Sequence, residues 1–170
     1  MTFAIASEIE PSASNIITKA ELEERIDLMT AGSLPYFKSL IKKMLTVNLR
    51  NAELLCDFII CEYNTQNIKF STKMTHIKVI CLFNRFLRYK EFKKISKNDI
   101  ILYLHSLKKT EADDPTHRWI GTYNTRQIIF SKFFRWMYNQ NEPDNKKWIT
   151  PPCMQGIKPL PRKEKSPYKP

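Results

Sequence analysis

The chain has 170 residues, with 28 Lys and Arg against 17 Asp and Glu, a formal charge of +11, and only three glycines. That length suits one ordinary domain with tails, and the scarcity of glycine and of β-branched runs argues against a sheet protein. No apolar run reaches the ~18 residues a bilayer span needs and no signal peptide opens the chain, so the expectation is a soluble, cytoplasmic protein without membrane contact.

The charge is uneven. Residues 1–36 carry six acids against Lys19 and Arg25, a net −4, which leaves +15 for the remainder. A surplus of that size predicts attraction to a polyanion, nucleic acid before membrane. Cys56, Cys61, Cys81 and Cys153 form no CxxC, and together with His76, His105 and His117 they give no tetrahedral ligand spacing. Buried reduced thiols are expected, with no metal, disulfide or cofactor.

Residues 1–17 are polar and aperiodic and read as a disordered arm. Thr18 and Glu21 have capping-box spacing and open a helix, acidic outside, with Leu22, Ile26 and Met29 as its apolar stripe; Gly32 closes it. A second helix follows Pro35, with Phe37, Leu40, Ile41, Met44 and Leu45 inward and Lys38, Lys42 and Lys43 in water. These two helices, residues 18–50, form an N-terminal extension expected to pack on the domain. The acidic helix could also shield cationic helices or dock on a neighbouring protomer.

The main helical domain is placed at residues 51–141. Leu54, Leu55, Phe58 and Ile59 mark the inner side of its first helix. Ser71 reads as the cap of the next, running to Lys90, with Val79, Ile80, Leu82, Phe83, Phe86 and Leu87 inward and Lys73, Lys78, Arg85 and Arg88 on the outer arc. Those cations have no acid between them and are assigned to phosphates. Ser96 and Asp99 start a core helix carrying Ile100, Ile101, Tyr103, Leu104 and Leu107.

Thr122 to Tyr138, TYNTRQIIFSKFFRWMY, is the last helix. At about 100° per residue, Ile129, Phe130, Phe133, Trp136 and Met137 share one side. The other side collects Asn124, Gln127, Ser131, Lys132 and Arg135, amides and cations with no carboxylate, which suits readout of base edges and contact with phosphates. Residues 142–170 carry seven prolines and the cations Lys146, Lys147, Lys158, Arg162, Lys163, Lys165 and Lys169, and read as an extended basic linker.

The order of parts resembles a known family. A long F-x-x-FL helix (Ser71 to Tyr89), an I-S-x-x-D-I-x-x-Y-L-x-x-L segment (Ile95 to Leu107), a helix with TYN-x-R at its start and FFRWMY at its end, and a proline-rich basic exit with W-x-TPP are similar to the N-terminal core-binding domain of tyrosine recombinases, the phage-integrase family, and most of all to archaeal integrases. The likeness covers about residues 51–170. It implies an all-α, four- to five-helix SAM-like bundle forming one half of a clamp around double-stranded DNA, acting in DNA integration and recombination, commonly within a tetramer on its target site. By position the helices at 71–90 and 122–138 would address the major groove, with Arg126 added to the contacts, and the basic exit would lead to the catalytic domain of the same protein. The family's His-x-x-Arg pair is missing and Tyr168 has no arginine pocket around it, so no catalytic residue is assigned and strand cleavage by this chain alone is not expected. The rival reading is a helical protein-interaction or non-specific DNA-binding regulatory module whose charge serves solubility.

Overall fold

The computed structural model describes residues 17–162, and everything regular in them is helical. Six α-helices follow in order: α1 (Lys19–Met29), α2 (Pro35–Val47), α3 (Leu49–Gln66), α4 (Phe70–Phe86), α5 (Lys97–Ser106) and α6 (Arg118–Tyr138). Local signals explain most of the starts. Thr18 and Glu21 cap each other's backbone at α1, Ser96 and Asp99 do the same at α5, and Pro35 occupies the first turn of α2. No helix among the described residues is long and apolar enough to cross a membrane.

The central layer is α3 with α4. On one side α1 and α2 pack against it, and on the other lie α5, α6 and the C-terminal segment. A single core runs through all of them, from Leu22 and Ile26 of α1 and Ile41 and Met44 of α2 to Phe130, Phe133 and Phe134 of α6. The N-terminal extension is therefore built into the bundle. Each large side chain buried there contributes roughly 1.5–3 kcal/mol. Part of the acidity of α1 is answered locally, because Asp27 pairs with Lys38 (2.8 Å) and Lys42 (3.3 Å) of α2, while Arg25 of α1 pairs with Asp57 of α3 at 3.3 Å. Those contacts give no support to shielding of more distant cations by α1.

An aromatic seam fixes how α6 rolls against its neighbours. Phe83 of α4 meets Phe130 at 4.4 Å between ring centres, and Phe58 of α3 meets Phe133 at 5.2 Å and Trp136 at 5.4 Å. Such pairs have directional preferences beyond their burial, so the seam selects one rotation of α6 about its own axis.

Three boundaries differ from the sequence reading. α4 begins at Phe70 after Lys69, so Ser71 lies inside the first turn instead of capping it. It also ends at Phe86, well before Lys90, because a buried amide network takes over the chain there. Asn51 of α3 donates to Asn84 Oδ1 (3.1 Å) and to the carbonyl of Lys90 (2.8 Å), Asn84 donates to the same carbonyl, and the amide of Phe92 returns a bond to Asn51 Oδ1. The turn this pins carries Arg88 and Tyr89 at φ +54 and +59. Arg88 is consequently off the helix and not stacked over Arg85. Finally, α6 starts a full turn before Thr122, after His117 at φ +52, with Asp114 Oδ2 accepting from the amide of Trp119 at 2.9 Å.

The largest difference is the exit. Residues 142–162 have no α-helix, as expected of a proline-rich stretch, yet they fold back over α5 and α6. Pro151, Cys153 and Met154 are buried, and two short 3-10 turns (145–147 and 152–154) shape the path. This part of the expected linker belongs to the bundle. Residues 1–16 and 163–170 lie outside the described residues, and with them most of the expected disordered arm, Lys163, Lys165, Lys169 and Tyr168.

All four thiols are free, with Cys56, Cys81 and Cys153 buried. Burial pushes Cys56 up to about 12 and Cys153 up to about 11, and raises Cys81 as well, so these thiols stay protonated and unreactive at neutral pH. Among the described residues no group of three His, Cys, Asp or Glu is placed to hold a metal ion.

Candidate nucleic-acid interface

The sequence reading assigned two faces to DNA, and the structure divides them. On α6 the amide band is turned inward. Asn124 is 8% exposed and clamps the backbone of Leu160, donating to its carbonyl at 2.8 Å and accepting its amide at 2.7 Å. Gln127, 6% exposed, donates to the carbonyl of Ile157 at 3.2 Å, and Arg135 Nη2 donates to the carbonyl of Trp148 at 3.2 Å. Asn139 repeats the two-way clamp on Ile149. Ser131, one turn beyond Gln127, is half-buried on the same flank.

The physical reason is simple. A carboxamide offers a donor and an acceptor side by side, and an extended backbone presents the matching pair. The chain's own C-terminal segment supplies that backbone and fills the place given to base edges. Asn124, Gln127 and Arg135 are thus corrected from base readout to holding the fold.

On α4 the outcome is mixed. Lys73 is 8% exposed, with its ammonium over the rings of Tyr63 (4.5 Å) and Phe70 (5.1 Å), and burial lowers its pKa. It is committed to a cation-π contact and is not available to phosphate. Lys78 and Arg85 remain exposed, one on each side of Leu82 along the outer arc of the helix.

Beside Lys78 the structure opens a groove the sequence reading did not assemble. It runs between α4 and the first half of α6, with a volume of about 490 Å³, and its walls include Thr75 and Lys78 from α4 and Arg118, Thr122, Thr125 and Arg126 from α6. None of its lining residues is acidic. Gly121 is one of its lining residues, and among the described residues a Cβ there would meet nothing within 4 Å. A second depression shares Thr75 and Thr125 and carries the surface on past Ile128. Arg118 keeps a long contact to Asp114 (Nε to Oδ1, 3.8 Å), which leaves most of its guanidinium to solvent.

Arg126 is the predicted α6 residue that this groove takes in. Its guanidinium lies over the Tyr103 ring at 5.6 Å and donates to the phenol oxygen, which fixes its position. Burial raises the pKa of Tyr103, against the opposing pull of the Arg126 and Arg85 charges. Lys78, Arg118 and Arg126 therefore form one cationic patch across two helices, and Arg85 is exposed farther along α4. From Arg118 to Lys132 the exposed ridge of α6 extends roughly 21 Å at 1.5 Å per residue.

Lys132 and Lys146 are exposed and border a separate cavity farther along the ridge, Lys147 is exposed beside Lys146, and Arg162 is exposed at the end of the described chain. Of the α6 groove residues, Arg118, Gly121, Thr122 and Thr125 were missed. Their i, i+3 and i+4 spacing was a usable signal, but a helix taken to begin at Thr122 leaves Arg118 and Gly121 outside it. Comparison with known proteins gives no match: no family profile, curated protein or solved structure corresponds to the chain.

Proposed function

We propose that this chain is a duplex-DNA-binding module, the core-binding half of a site-specific tyrosine recombinase acting in DNA integration and recombination. The observation that carries the reading is the acid-free groove between α4 and α6, in which Lys78, Arg118 and Arg126 stand beside threonine hydroxyls and the bare backbone at Gly121. Cations hold phosphates, hydroxyls add hydrogen bonds to them, and the absence of a side chain lets a sugar-phosphate backbone approach closely. The integrase-like order of motifs in the sequence supports the recombinase assignment. Holding and orienting the duplex is the role of these residues, and cutting it falls to a catalytic domain, with tetramer formation on DNA following the same family likeness.

The test is duplex binding by fluorescence anisotropy across a salt series. With Lys78, Arg85, Arg118, Arg126, Lys132 and Lys146 meeting phosphates, log K falls with log salt at a slope of about −5. A flat salt response, or no duplex binding at low salt, replaces this reading with a helical adaptor whose charge serves solubility.

A further inference from the structure

The α6 ridge ends at a cavity whose aromatic walls duplex binding leaves unused. It lies between the second half of α3, the second half of α6 and the turn at 145–147, and encloses about 520 Å³, within the range typical of small-ligand sites. Two indoles, Trp136 and Trp148, line it together with the cations Lys132, Arg135 and Lys146 and a single carboxylate, Glu62.

The walls are held in place from behind. Trp136 packs on Phe58 and stacks with Phe133 at 6.3 Å. Trp148 donates its ring N–H to the carbonyl of Glu142 at 2.9 Å, and its own carbonyl accepts from Arg135. Glu62 is buried, with Oε2 on His76 Nδ1 at 2.6 Å. Arg135 Nε is buried and has no partner among the described residues. An orphaned buried donor in a cavity wall is costly unless an acceptor comes to it.

Aromatic walls call for a planar π system, three cations call for an anion, and a carboxylate among them accepts from an amino group. A fatty acid would leave the carboxylate unmatched, and a simple anion would leave the indoles unused. We propose that this cavity takes one nucleotide, with its base against the indoles, its phosphate toward Lys132 and Lys146, and an amino group of the base toward Glu62. Two sources share that chemistry, a free mononucleotide and an unpaired nucleotide extruded from a duplex lying in the α4–α6 groove. Only the second rests on the DNA-binding reading.

The full chain carrying Trp119→Phe, which leaves Trp136 and Trp148 as the only indoles, is titrated with AMP and CMP by tryptophan fluorescence. The same protein is titrated by anisotropy with a fully paired hairpin and with one holding a single unpaired cytosine. Saturable quenching by a mononucleotide, about tenfold weaker for adenosine or inorganic phosphate alone, supports the site with a free nucleotide as source. About tenfold tighter binding of the hairpin with the unpaired base supports it with an extruded nucleotide as source. Trp148→Ala removes about tenfold of whichever effect is seen and leaves the affinity for the fully paired hairpin unchanged. No quenching together with equal binding of the two hairpins overturns the proposal, and salt-sensitive binding of the paired hairpin in that result leaves the duplex reading intact. Quenching by AMP without binding of either hairpin supports the cavity and overturns the duplex reading instead.

Discussion

The two flanks of α6 carry similar chemistry and have opposite fates. Asn124, Gln127 and Arg135 on one flank are spent on the backbone of Leu160, Ile157 and Trp148. Arg118, Thr122 and Thr125 on the other border an open groove beside α4. The centres of the two flanks lie roughly 140° apart on the helix at 100° per residue. Donors suited to a nucleic acid are equally suited to an extended peptide, and the side on which the chain folds back decides which partner they meet.

That contrast can be broken most strongly from the open flank. Replacing Lys78, Arg118 and Arg126 together by alanine is expected to weaken duplex binding about 100-fold at 0.1 M salt and to make the salt slope shallower by about 3, since each phosphate contact contributes about one unit. Alanine at the exposed Lys43 and Lys93 should change affinity less than threefold, and equal losses in the two variants would refute the groove.

The covered flank predicts the reverse. Asn124→Ala removes both bonds to Leu160 and is expected to cost about 2 kcal/mol, a fall in Tm of roughly 6 °C, while leaving duplex affinity within about twofold. A large loss of affinity without a loss of stability would return Asn124 to the interface.

Gly121 sharpens the comparison, because nothing among the described residues needs its bareness. Gly121→Ala is expected to stabilise α6 by up to about 1 kcal/mol and raise Tm by about 3 °C, yet to weaken duplex binding several-fold by placing a methyl where the backbone of DNA approaches. The smallest effect belongs to acid. The Trp119 amide, followed by Thr116 and Arg118, holds the Asp114 carboxyl below its ordinary value of 3.8. Its contribution to stability is therefore present above about pH 4 and is lost as pH falls from there through the depressed value. Asp114→Asn should flatten the acid limb of a Tm–pH profile below pH 4 and leave the neutral region nearly parallel to the parent.

Much of the helical order was legible because its signals are local. Thr18 with Glu21 and Ser96 with Asp99 announce their caps by spacing alone, and the apolar stripes of α1, α2 and α5 point inward as their period requires. The misread ends have non-local causes. α4 stops where Asn51, far away in sequence, reaches the Lys90 carbonyl, and no window around Arg88 contains that fact. Lys73 carries a charge like Lys78, and only the positions of Tyr63 and Phe70 distinguish them.

Composition and periodicity were enough to determine an all-α chain, a cationic surplus beyond residue 36, and amphipathic helices with their apolar stripes turned inward. They could not determine which part of each outer face stays in water. That depended on the roll of α6, set by Phe58, Phe83 and their partners, and on the return of residues 142–162 across it. Both are contacts between distant parts of the chain, and hydrogen-bonding capacity written in a sequence does not specify which of several complementary partners will arrive.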